Sequence, residues 1–139
     1  MSTQGTTLTL AIMDPPYETA RVTTALRLVE AALRKGINVN VFAYEGAVSL
    51  GFTEQKPHAN PVKGTSLEEE AHPMPKDWIA ALGELGNGRE GRGKLDWVNC
   101  GLCVDERGME NQATGRRGGP PDFREFIERS TNVLTIATR

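Results

Sequence analysis

The chain is poor in cysteine and histidine, with two of each, and carries a formal charge of only −2. Each scarcity removes a class of function. A zinc site needs four ligands, yet His58 and His72 both lie far upstream of Cys100 and Cys103, with no finger-like spacing, so no metal is expected. Nucleic-acid binders show a clustered basic excess, and mixed signs close to neutrality give no such footprint. The first apolar run, Leu8 to Met13, is far short of membrane-spanning length and follows no basic region. Neither a signal peptide nor a membrane contact is therefore expected, and the cytoplasm is the expected compartment. Glycines of a dinucleotide fingerprint are missing after that run, where Asp14-Pro15-Pro16-Tyr17-Glu18 stands instead. No nicotinamide or other cofactor is expected. Aromatic residues make up only 6% of the 139 residues, a thin core that favours burial of further surface in an oligomer.

What is present begins with a strand–helix–strand pattern. Leu8-Thr9-Leu10-Ala11-Ile12-Met13 alternates and is β-prone, and Asp14-Pro15-Pro16 stops it because proline cannot donate to a ladder. Between Glu18 and Lys35, Val22, Leu26, Val29, Ala32 and Leu33 recur at helical spacing, and Gly36 is placed to close that helix in a left-handed conformation. Ile37 to Tyr44 reads as a second strand, which makes a βαβ unit with parallel strands. Gly46 to Phe52 has room for one or two helical turns. The polar, proline-containing stretch 53–75 is a long connection of the kind that forms a lid or is disordered. Lys76 to Leu85 places Trp78, Ile79 and Leu82 on one helical face.

Gly86 to Lys94 reads as a mobile turn. It nearly spells a phosphate loop, but Leu95 replaces the required Ser or Thr and the glycines precede a strand. Residues 109–121 read as a flexible, exposed loop holding Arg116 and Arg117. Asp122 then caps a helix through Arg129 with Phe123, Phe126 and Ile127 inward, and Val133 to Ala137 forms a last strand. The sum is one α/β domain over 1–139, a Rossmann-like or flavodoxin-like parallel sheet with helices on both faces.

Both cysteines fall at one corner of that plan. Leu95 to Val98 is a short apolar strand, Asn99 and Gly101 suit a turn, and the following segment can start a helix. Backbone N–H groups at a helix start favour negative charge, and a thiol placed there ionises more readily. Four readings of the pair stand: inert buried thiols, a zinc site, a thioredoxin-like redox pair, and a nucleophilic thiol that accepts sulfur or exchanges disulfides. Zinc lacks ligands, and thioredoxin carries its CxxC after an early strand, whereas this one comes late. Asn99 and Gly101, beside Cys100, are candidate substrate-binding residues. So are His58 and Lys63, which can approach from the lid and steady a thiolate. His72 reads as solvated, Asp105 and Glu106 as facing outward, and Trp78 and Trp97 as core.

Three stretches resemble the DsrE/DsrF-like family of sulfur-trafficking proteins, which includes the TusD subunits of tRNA-thiolation relays. Pro16-Tyr17-Glu18 leading into a helix that ends Leu33-Arg34-Lys35-Gly36 is similar to the family's first βα unit. The second strand followed by Glu45-Gly46-Ala47-Val48 is similar to its second turn, and a strand ending at Cys100 with Arg107-Gly108 closing the next segment matches its cysteine motif. The resemblance implies that Cys100 carries a persulfide and hands its outer sulfur to a partner thiol. It implies sulfur-donor and sulfur-acceptor proteins, or low-molecular-weight thiols and polysulfides, as partners, and trimers or hexamers of identical or related subunits. Cys103 is an addition to the TusD-like pattern, either a resolving thiol or a packing residue. The expected function is a sulfur carrier or sulfurtransferase. The alternatives are a non-catalytic subunit or regulatory binding module, and a CxxC dithiol oxidoreductase.

Overall fold

The computed structural model describes residues 5–59, 61–71 and 74–136. Five strands, β1 (Thr7–Ile12), β2 (Asn38–Ala43), β3 (Leu95–Cys100), β4 (Arg116–Gly118) and β5 (Asn132–Ile136), form one sheet in the order β4-β3-β2-β1-β5. Every pairing is parallel, with Leu10 opposite Val41 and Val41 opposite Trp97 in the central register. Helices α1 (Arg21–Arg34) and α3 (Pro75–Leu85) cover one face, while α4 (Gly101–Arg107) and α5 (Pro120–Arg129) cover the other. A single turn, α2 (Leu67–Glu70), interrupts the long connection, and a 3-10 turn, Glu45–Ser49, follows β2. The α/β parallel sheet with helices on both faces is thus the observed architecture.

The amphipathic pattern of α1 dictates its docking. Val22, Ala25, Leu26, Val29 and Leu33 form its buried stripe and pack on Leu10, Ile12, Val39 and Val41 of the sheet. Burying each such aliphatic side chain stabilises the fold by about 1.5–3 kcal/mol. Gly36 ends the unit with φ +85°, the left-handed conformation anticipated for it. The helix starts at Arg21 rather than at Glu18. Thr19 explains the delay: its Oγ1 accepts the Arg21 N–H at 3.1 Å and donates to the buried Asp14 Oδ2 at 2.7 Å.

The opposite face holds a smaller core of Phe42, Val98, Val104 and Phe126 together with both cysteines. Its polar members satisfy one another. Asn40 Nδ2 donates to Thr9 Oγ1 at 3.2 Å, and Thr9 in turn meets Ser130 Oγ and the Phe126 carbonyl at the end of α5.

Several expectations need correction. The cysteine strand runs on through Asn99 to Cys100, because β4 pairs with it there. Strand β4 lies inside 109–121, a stretch that reads as loop throughout in the sequence. Helix α5 begins at Pro120, where proline's missing N–H is no loss. Asp122 caps it from inside, its Oδ2 accepting the Gly119 N–H at 2.8 Å. Ile127 is 44% exposed, so α5 turns only Phe126 fully inward. The turn before β3 is tied down rather than loose: the Gly93 N–H reaches Leu33 O at 2.8 Å and the Gly88 N–H reaches Gly93 O at 3.2 Å.

Candidate active site

Cys100 is the last residue of β3 and the residue that caps α4. Strand alternation turns Trp97 and Asn99 toward the α1/α3 face, and Val98 and Cys100 toward the other. Cys103, one turn along α4, faces the same way. Both sulfur-bearing residues line a cavity of about 390 Å³ walled by Phe42, Tyr44, Phe123, Leu102 and Pro120, with Glu45 and Glu106 at its edge. Phe42 stacks on Phe123 with ring centroids 5.0 Å apart, which makes one wall rigid and apolar. Each cysteine keeps 9% of its surface exposed, and Leu102 at the mouth keeps 70%. The thiols are covered but not sealed.

The two sulfurs are unequal. Burial first, and a hydrogen bond with the Cys100 sulfur second, push the Cys103 thiol above its ordinary value, against a downward pull from the Glu45 N–H. That N–H meets the Cys103 sulfur at 3.0 Å because Glu45 has a left-handed backbone, φ +51°, after the end of β2. Such a conformation is unfavourable for a residue with a Cβ and persists only where its surroundings enforce it. Of the pair, Cys103 is therefore the sulfur whose surroundings favour its protonated form.

Arg117 sits beside the corner. Its Nη1 and Nη2 grip Asp105 Oδ1 and Oδ2 at 2.7 and 2.6 Å, a bidentate pair across the β4–α4 junction. Its Nε is so close to the corner that a Cβ added to Gly101 would stand 2.7 Å from it. Glycine at 101 is what lets the guanidinium lie there. Pairing with Asp105 chiefly, and more weakly the negative charges of Glu110 and Cys100, raise the Arg117 pKa, and the same hydrogen bonds hold the Asp105 carboxyl below its usual range. Arg116 next door bridges Asp122 at 2.8 Å and Asp96 at 3.3 Å, so these arginines are structured rather than loose.

The remaining expected residues are placed as follows. Gly101 opens α4 at the corner. Asn99 is buried, with Oδ1 accepting the Trp97 indole N–H at 3.1 Å and Nδ2 donating to Thr114 O at 3.2 Å, so its amide braces β3 from behind. His58 contacts Tyr17 edge to face at 6.0 Å, and neither it nor Lys63 lines the cysteine cavity. His72 lies outside the described residues. Asp105 and Glu106 are exposed as expected, with Asp105 engaged by Arg117. Among the described residues, no cluster of three or more His, Cys, Asp or Glu could hold a metal.

Sequence reasoning missed the aromatic wall of Phe42, Tyr44 and Phe123, whose members come from β2, the turn after it, and α5. No local pattern joins residues so far apart. It also missed Arg117 as a neighbour of Cys100; the one hint was Gly101, a glycine in a helix's first turn with no turn-type reason to be there.

A model of the DsrE/DsrF-like family matches residues 7–136. An uncharacterized protein of Methanocaldococcus jannaschii is 26% identical over 131 residues, covering 92% of this chain and 97% of its own. Among solved structures, the ychN protein of E. coli superposes with a TM-score of 0.65 at 18% identity, over 94% of this chain and 99% of that one. A conserved protein of unknown function from Bacteroides thetaiotaomicron gives 0.64 at 11% identity, over 98% and 99%. At those identities the two structures speak to the fold alone.

Proposed function

The chain belongs to the DsrE/DsrF-like family, which is associated with sulfur relay, and from that premise we propose that Cys100 carries sulfane sulfur as a persulfide. The Cys100 thiolate attacks the outer sulfur of a donor such as a polysulfide or thiosulfate. The donor's S–S or S–sulfonate bond breaks, and its remainder leaves as thiolate or sulfite. A partner thiolate then takes the terminal sulfur, and Cys100 returns as thiolate. No external oxidant or reductant enters the cycle, and positioning with thiolate stabilisation is the catalysis required.

The observation that supports this reading is the placement of Cys100 at the carboxyl end of a central strand, lining a cavity that stays open to a visitor. Cys103, protonated and hydrogen-bonded to Cys100, is suited to donate its proton or, once ionised, to attack the inner sulfur of the persulfide: the Cys100–Cys103 bond forms, the bond to the outer sulfur breaks, that sulfur leaves as hydrosulfide, and an external thiol then reduces the disulfide. That contact favours the dithiol exchange as a second reading. Partners are sulfur donors and acceptors, and the chain works as one domain. Exposed Val133 and Leu134 on the edge strand β5, with Ile127 on α5, support assembly with further subunits. No described helix is long and apolar enough to cross a membrane. The reading is tested by intact-mass analysis after polysulfide treatment. Adducts of whole sulfur atoms, absent in Cys100→Ser and retained in Cys103→Ser, are expected. A wild-type protein that gains no sulfur overturns it.

A further inference from the structure

We propose that Glu45 is a positioning residue for Cys103: its left-handed backbone aims an amide N–H at the Cys103 sulfur, and so makes ready the thiol that attacks Cys100. Distance, backbone strain and clamping converge on it. The Glu45 N–H meets the Cys103 sulfur at 3.0 Å. Glu45 reaches that place only with φ +51°, a conformation unfavourable for a residue bearing a Cβ. Glycine, which adopts it freely, stands one position later. Gly46 is not left-handed, and its missing side chain serves the contact with Pro15, whose ring atoms a Cβ would meet at 3.0–3.1 Å.

The surroundings enforce the strained residue from both sides. The Tyr44 N–H is tied to Ile12 O at 3.1 Å, the Ala47 N–H to Tyr44 O at 3.1 Å, and Ala47 and Val48 are fully buried. Arg107 closes the clamp, with Nη2 3.6 Å from Glu45 Oε2 and Nη1 donating to the Cys103 carbonyl at 3.3 Å. Stability does not account for it, since the Glu45 side chain is 58% exposed and an ion pair so placed adds little to folding. Enforced strain of this kind collects at functional sites. Burial and the Cys100 sulfur push the Cys103 thiol up, the Glu45 N–H pulls it down, and the Glu45 carboxylate pushes it up again. Cys103 thus rests protonated with a donor already aimed at the charge it gains on ionising. A cysteine that merely packs has no use for that donor, which separates the two roles open to Cys103.

This inference rests on the dithiol-exchange reading of Cys103, and its test is independent of sulfur uptake. In a Cys100→Ser background, alkylation of Cys103 by iodoacetamide is followed against pH. Thiolate displaces iodide from carbon, so the rate reports the ionised fraction. The other ionisable groups facing Cys103 are Tyr44 after β2 and Glu106 and Arg107 on α4, while α5 brings only Pro120 and Phe123; all stay constant across the series. Glu45→Gln, Glu45→Gly and Glu45→Val carry one charge state and differ in how well they tolerate a left-handed backbone. Glu45→Gln and Glu45→Gly keep the donor, lose the carboxylate, and should lower the midpoint of the profile relative to their parent. Glu45→Val should raise it above Glu45→Gly by about half to one pH unit, slow the reaction about two- to fivefold at neutral pH, and converge at high pH.

Superimposable profiles for Glu45→Gly and Glu45→Val overturn the inference. So does a difference that persists at high pH, which marks a change of access rather than ionisation. Far-UV spectra and melts show which variants are folded. Should Glu45→Val unfold, the Glu45 amide resonance of the isotope-labelled Cys100→Ser protein decides: it should move with the midpoint of Cys103 alkylation, and a resonance that does not is equally fatal. Sulfur uptake by the wild type with superimposable profiles removes this inference alone. Separated profiles without uptake remove the carrier reading and leave the Glu45–Cys103 contact standing.

Discussion

The two faces of the sheet are built to different ends. On one, α1 and α3 press Val29, Leu33, Ile79 and Leu82 onto Leu10, Val41 and Trp97, a continuous and almost wholly sealed core. On the other, α4 and α5 leave a smaller cluster in which two thiols and two phenylalanines replace the aliphatics, beside a cavity of about 390 Å³. The first face is close-packed, and close packing is what makes it stable and chemically silent. Each face keeps a cavity, about 410 Å³ between α1 and α3 and about 390 Å³ beside the thiols, and the second is the one that opens on Cys100.

The largest expected effect tests the silent face. Leu33→Ala, at a position with no exposed surface, should lose about 2–5 kcal/mol in a denaturant titration while sulfur uptake per folded molecule stays unchanged. Loss of uptake in folded protein breaks the comparison. Next comes Gly93→Ala. A Cβ there would stand 1.8 Å from the Ile37 carbonyl oxygen, a backbone atom that cannot swing aside, so a loss of about 1–3 kcal/mol or more is expected in thermal melts. Gly101→Ala meets only an arginine tip and should melt close to wild type, which sharpens the contrast between a packing glycine and a site glycine.

Asp122→Asn should cost about 1 kcal/mol near neutrality, because its carboxylate caps α5 and bridges Arg116. Arg116 foremost, and the Gly119 N–H, hold the folded Asp122 pKa below its ordinary value. Its contribution is therefore complete above the unfolded carboxylate value and disappears as pH falls through the lowered folded one. Melts of variant and wild type should accordingly converge in acid. The smallest effect in energy is the most specific to the open face. Peptide mapping after brief alkylation should find Cys100 modified before Cys103 at neutral pH, since the raised Cys103 value keeps that thiol protonated. The difference should close as pH rises through it, and equal labelling at neutral pH would deny the asymmetry.

Much of the silent face was legible in the linear chain. The stripe of α1, the left-handed Gly36 and the parallel βαβ unit follow from spacing and local backbone chemistry alone. The cysteine corner was legible as a corner. What escaped were contacts between distant segments. Residues 109–121 looked like loop because the stretch is polar and glycine-rich through Pro121, and only the β3 edge makes Arg116–Gly118 a strand. Ile127 looked buried on helical spacing, yet it is 44% exposed while its neighbour Phe126 is wholly covered.

The sequence by itself determined the first strand, α1, the second strand and α3, and that both thiols stand where a strand gives way to a helix. Tertiary structure decided which face those thiols enter, that Phe42 and Phe123 wall them in, and that Arg117 rather than His58 or Lys63 comes to the corner. The physical reason is range. Helix and strand periodicities are set by neighbours within a few residues, whereas strand register and helix docking are fixed by the burial of the whole sheet at once.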